Sequence, residues 1–133
     1  MISYMYAALE QQIKATLTTW KVYNVTGIAT DEFIDQYATE NQAVCVSYRG
    51  FSDVAKHENR TSGQRSHDFY ITIIANKDII STIESVISSF DIEELSYTDE
   101  DDNTYYYNFD LTGGDFSTYY GGNIFEMRVS IYA

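Results

Sequence analysis

Residues 67 to 90, HDFYITIIANKDIISTIESVISSF, join a strand pattern directly to a helix pattern. The first part, residues 67 to 75, is rich in β-branched and aromatic side chains and predicts a strand. From Lys77 to Phe90, apolar residues recur every three or four positions and predict a helix that begins near Asn76 or Asp78. The predicted apolar stripe of this helix consists of Ile79, Ile80, Ile83, Val86, Ile87 and Phe90.

A helix and a strand precede this stretch. Apolar residues at spacings of three and four predict an N-terminal helix over residues 2 to 19, and QAVCVSYRG, residues 42 to 50, predicts a strand. Between them, alternation from Trp20 to Val25 favours a short extended segment, and Thr30 is a candidate cap for a short helix from Asp31. The inward face of the first helix is predicted to contain Ile2, Met5, Tyr6, Leu9, Ile13 and Leu17.

Three strands are expected after residue 90. Residues 92 to 97 and a strand from Tyr105 are predicted to pair as a hairpin across the acidic turn at 99 to 103. TGGDFSTYYGG, residues 112 to 122, predicts a loop, and residues 124 to 132 alternate strictly, with one apolar face. The order of elements favours an α+β two-layer sandwich in a single domain, residues 1–133. Two main helices are expected on one face of a mostly antiparallel sheet that carries a long hairpin arm.

The composition argues against direct nucleic-acid binding. The chain carries a net charge of -12 with only 8 Lys and Arg, too few cations to follow a phosphate backbone. Its single cysteine, Cys45, lies in an apolar run and is expected to be a buried small hydrophobe. No apolar run approaches the roughly 18 residues of a membrane span, and the N-terminus lacks a basic signal region, so an intracellular, non-membrane protein is expected.

Catalytic, metal-binding and cofactor motifs are not evident. Nothing in the sequence places Cys45 beside His57 or His67, the two histidines, so no nucleophile–base pair is indicated. The glycine pairs 113–114 and 121–122 do not match a phosphate-binding motif and are expected to be turn residues. The DEDDN stretch lacks the central glycine of a calcium loop and predicts an acidic hairpin tip. A protein that is not an enzyme is therefore expected, with no cofactor.

The segment between the two long central strands is the candidate interaction site. Residues 51 to 66 are polar and, with the residue at 49, hold half of the chain's Lys and Arg. A local basic patch on an acidic protein suits docking onto the acidic face of another copy, although a solvated loop explains the same pattern. The candidate interface residues are Arg49, Phe51, Val54, Lys56, Arg60 and Arg65.

The order of elements resembles the small tail-terminator and tail-completion proteins of tailed bacteriophages. Four stretches carry the resemblance: MISYMYAALEQQIKATL, QAVCVSYRGF with its polar arm, the segment 67–90, and the closing strand FEMRVSIYA. The resemblance implies a ring, commonly hexameric, at the head-proximal end of the tail tube. It also implies three partners, namely other copies, the tube protein and a neck or head-completion protein. The implied location is the virion, after assembly in the host cytoplasm, and DNA would pass through the lumen without sequence-specific binding.

Two other functions remain open at this point. A different neck or head-completion protein of the same particle would show a similar pattern. An acidic DNA mimic, which occupies the basic groove of a DNA-binding protein, would also be small and strongly negative. The clustering of acidic residues at 91 to 102 argues against the DNA mimic, because a mimic needs carboxylates spread in duplex-like rows.

Overall fold

The computed structural model describes residues 2–37, 42–53, 65–117 and 124–133. Within these ranges it contains three helices and six strands, so the predicted α+β class is confirmed. The helices are α1 (Ile2–Thr16), α2 (Thr30–Tyr37) and α3 (Ile79–Ser89). The strands are β1 (Lys21–Asn24), β2 (Gln42–Asp53), β3 (Arg65–Ala75), β4 (Leu95–Thr98), β5 (Thr104–Ser117) and β6 (Ile124–Tyr132). No helix in the described ranges is long and apolar enough to cross a membrane.

The six strands form one sheet in the order β1-β2-β3-β6-β5-β4. Only the β1–β2 pair is parallel, and the other four pairs are antiparallel. The long β2–β3 hairpin runs from the Gln42–Ala75 pair to the Asp53–Arg65 pair. The predicted hairpin arm is therefore present at its root, while residues 54 to 64 lie outside the described ranges.

The main core lies between one face of the sheet and helices α1 and α3. The odd-numbered residues of β6, from Phe125 to Ile131, are buried as the period-two pattern predicts. Gln12 of α1 donates a hydrogen bond to the carbonyl of Ser89, and this contact ties α1 to the end of α3. The two predicted main helices therefore share one face of the sheet. Their buried side chains include Met5, Ala8, Leu9, Ile13, Ile83 and Val86.

Helix α2 packs on the opposite face of the sheet, near the start of β2. Phe33 and Ile34 of α2 join a second core cluster with Val25, Ala43, Cys45, Ile74 and Ile124. Ala43, Cys45, Ile74 and Ile124 alternate along their strands with residues of the main core, so they point to the other face of the sheet. Helices therefore pack on both faces of the sheet, α1 and α3 on one face and α2 on the other.

Several predicted boundaries and core positions were wrong. Helix α1 ends at Thr16, and β4 begins at Leu95. Asp78 does precede α3, but in a left-handed conformation (φ 54°) and with no capping hydrogen bond from its side chain. Of the predicted stripe on α3, Ile80 and Ile87 are exposed, because this short helix presents only a narrow face to the sheet.

The glycines at 113 and 114 lie inside β5 and not in a turn, which corrects the loop predicted from residue 112. They follow a register shift between Leu111 and Gly113. A Cβ atom on Gly114 would lie 2.7 Å from Cζ of Phe125, and one on Gly113 would lie 2.7 Å from a guanidinium nitrogen of Arg128. The glycines are therefore needed for close side-chain approach across the strands. The pair 121–122 lies outside the described residues.

Candidate interaction surfaces

The root of the arm exposes an aromatic residue. Phe51 of β2 is 60% exposed, and the guanidinium of Arg65 lies over its ring at 5.1 Å. Nε of Arg65 also lies 3.4 Å from Oδ1 of Asp53, the last residue of β2. Two of the six predicted interface residues, Phe51 and Arg65, therefore meet at one end of the sheet and form a cation–π pair.

A buried histidine, His67, packs beside Phe51 at the arm root. His67 Nδ1 lies 3.1 Å from the hydroxyl of Tyr48, and its ring centroid lies 6.0 Å from that of Phe51. Burial lowers the pKa of His67, and the charge of Arg65 lowers it further. His67 is therefore neutral near pH 7. Cys45 lies far along β2 and on the opposite face of the sheet, so these two residues do not form a nucleophile–base pair.

Arg49 does not belong to the arm root. Its guanidinium stacks over the ring of Tyr70 at 4.6 Å and donates a 3.2 Å hydrogen bond to Oγ1 of Thr30 in α2. It therefore helps to hold α2 on the sheet. Among the described residues, Arg49 and Arg65 of the predicted basic patch therefore lie at separate places. The other three candidates, Val54, Lys56 and Arg60, lie outside the described residues.

The face of the sheet that α2 only partly covers carries a row of paired polar side chains. Ser130 donates a 2.7 Å hydrogen bond to Asp68, and Tyr132 donates one of 2.7 Å to Asp110. The hydrogen bond to Asp110 raises the pKa of Tyr132. We did not predict these partners from the sequence, although the alternating polar positions of β6 pointed to a polar face.

A small pocket opens on this face between α2 and the ends of β5 and β6. Its volume is about 180 Å³. Thr30, Thr72, Asp115 and Glu126 supply its polar wall, and Ile34, Phe116 and Ile124 supply its apolar wall. The Asp115 carboxylate forms a 3.1 Å ion pair with the guanidinium of Arg128. Sequence reasoning missed this pocket because its residues come from four separate elements, α2, β3, β5 and β6.

The two edges of the sheet are unlike. At one edge, β1 pairs with β2 only as far as Val46, and at the other, β4 pairs with β5 only as far as Tyr107. Beyond these points, no described strand pairs with the outer edge of residues 49–53 of β2 or of residues 108–117 of β5. Unpaired strand edges carry free backbone donors and acceptors and are ready to pair with another chain.

The acidic turn at 99 to 103 is held together by its own side chains. Oδ1 of Asp99 accepts 2.9 Å hydrogen bonds from the backbone amides of Asp101 and Asn103, and Oδ2 accepts one of 3.3 Å from Tyr105. The amide of Asn103 contributes most to the lowered pKa of Asp99. Asp99 thus stabilises the β4–β5 hairpin. No group of three or more metal-ligating side chains occurs among the described residues.

No protein-family model matches this chain, and no curated protein sequence matches it.

Proposed function

We propose that this chain is a structural protein that assembles head to tail into a closed ring. The ring caps the head-proximal end of a phage tail tube, ends tube polymerisation and provides the surface for head or neck joining. The observation that carries the proposal is the pair of unlike, open sheet edges, at residues 49–53 of β2 and residues 108–117 of β5. The phage setting comes from the resemblance in the order of elements.

Unlike edges favour a ring over a two-fold dimer. In a heterologous contact, one surface of each subunit meets a different surface of the next, and repetition of this contact closes a ring. Pairing of the β2 edge with the β5 edge of a neighbour would satisfy backbone groups on both strands. The exposed Phe51 lies on the open part of β2, where such a contact would bury it.

The charge of the chain suits a ring through which DNA passes. With a net charge of -12, each subunit repels the phosphate backbone, so DNA would not adhere to the lumen wall. The DNA-mimic alternative fits the side chains less well. Asp68, Asp110 and Asp115 each hold an internal hydrogen bond or ion pair and are only partly available to imitate phosphates.

The test substitutes two exposed aromatic residues in turn and measures the mass of the assembly by light scattering after size exclusion. Phe51, 60% exposed, lies at an open edge, whereas Tyr106, 64% exposed, lies where β5 is already paired with β4. We expect the wild-type chain, alone or with tube protein, to give a ring of about six times 15.3 kDa. Phe51→Ser should reduce ring formation, and Tyr106→Ser should leave it unchanged.

Two results would overturn the proposal. One is a wild-type chain that stays monomeric at all concentrations and neither binds the tube protein nor changes the length of its tubes. The other is equal assembly by the Phe51→Ser variant. A ring that binds a head protein but does not stop tube growth would favour the neck or head-completion alternative.

A further inference from the structure

We propose that the pocket between α2, β3, β5 and β6 binds an arginine side chain presented by a partner protein. This goes beyond ring formation, because it assigns a specific recognition site to the polar face of the sheet. At about 180 Å³ the pocket is smaller than the roughly 300–1,000 Å³ of sites for small-molecule ligands. It has room for one long side chain.

A buried hydroxyl group without a partner is the observation that points to a ligand. Thr72 is only 2% exposed and lies on the wall of the pocket. No described residue forms a hydrogen bond with its hydroxyl group. Buried polar groups are nearly always hydrogen-bonded, since leaving one unpaired is costly. A bound ligand with a donor group would satisfy Thr72.

The charge in the pocket selects a cation. Glu126 lines the pocket, and no described residue neutralises its carboxylate. The nearby cations are engaged elsewhere, Arg128 with Asp115 and Arg49 with Tyr70 and Thr30. Helix α2, whose Thr30 and Ile34 line the pocket, also carries Asp31, Glu32 and Asp35, which add negative charge to this end of the sheet. A basic group therefore complements this site.

The apolar wall favours arginine over lysine. Ile34 and Ile124 can pack against the methylene groups of a long side chain. Phe116 is 43% exposed at the pocket and offers an aromatic surface to a planar guanidinium. Thr72 and Glu126 lie opposite each other on β3 and β6, so a guanidinium, with five N–H donors in a fixed plane, can donate to both side chains.

The test is an NMR titration of the ¹⁵N-labelled full chain with N-acetyl-arginine amide. The uncharged isostere N-acetyl-citrulline amide is the ligand control. We expect saturable shifts for the amides around Thr72 and Glu126 with the arginine compound only. Glu126→Gln and Thr72→Val should each weaken binding, the former by at least about tenfold, because a charge-assisted hydrogen bond is lost. Glu94→Gln removes the same charge from an exposed loop and should change nothing.

Thr72→Val keeps the shape of the side chain and removes only the unpaired hydroxyl, so it should fold even if Glu126→Gln does not. The proposal fails if citrulline binds equally, if both pocket variants bind as the wild type does, or if the shifts spread over all acidic surfaces. Ring mass measured on Glu126→Gln separates the two proposals. An intact ring with lost arginine binding supports both, whereas an intact ring with unchanged arginine binding overturns only the pocket.

Discussion

The same substitution at two positions of α3 tests which face of this helix enters the core. Ile83 is 7% exposed and packs in the main cluster, whereas Ile80, three residues earlier, is 58% exposed. Both belong to the apolar stripe that the spacing predicts. Ile83→Asp and Ile80→Asp therefore differ mainly in burial, because the chemical change and the helix are the same.

The expected effects differ by several kcal/mol. Loss of a buried isoleucine side chain costs about 2–5 kcal/mol, and a buried carboxylate without a partner adds to this cost. Ile83→Asp should therefore destabilise the fold by at least about 4 kcal/mol, a large share of the roughly 5–15 kcal/mol typical of a domain. Ile80→Asp should stay within about 0.5 kcal/mol, and a negative charge in the first turn of α3 even favours the helix slightly.

The assay is urea unfolding followed by far-UV circular dichroism, at a chain concentration below that of assembly. We expect a wild-type midpoint for Ile80→Asp, and either a much lower midpoint or no cooperative transition for Ile83→Asp. Equal destabilisation by both substitutions would show that Ile80 is also buried. A wild-type transition for Ile83→Asp would refute the packing of α3 on the sheet.

Three further outcomes are expected. Because hydrogen bonding in the fold lowers the pKa of Asp99, its stabilising effect is present above the unfolded pKa and is lost as the pH falls through the folded value. Asp99→Ala should therefore flatten the acid side of a plot of melting temperature against pH below about pH 4, and an unchanged plot would contradict this. Gly114→Val should displace the Phe125 ring and cost about 1–3 kcal/mol in urea unfolding; no loss would mean that the strands separate easily. Asp110→Asn should bring the pKa of Tyr132 back toward 10.0 in an NMR titration, unless the hydrogen bond does not form in solution.

The local periodicities of the sequence were sufficient for most of the elements. Strict alternation placed Phe125 to Ile131 on a buried face, and spacings of three and four placed Met5, Leu9 and Ile13 in the core. These predictions succeeded because side-chain direction follows from the backbone repeat of one continuous segment. The β4–β5 hairpin was predictable for the same reason, since its strands are joined by one short turn.

Only the tertiary structure decided where these elements meet. The sequence did not predict that α2 packs on the opposite face, that Ile80 is exposed, or that Arg49 and Arg65 lie apart. It also gave no sign that Thr72 and Glu126 line one pocket. Each of these features depends on strand order and on contacts between residues far apart in the chain. Periodicity within one segment carries no information about which other segment it will face.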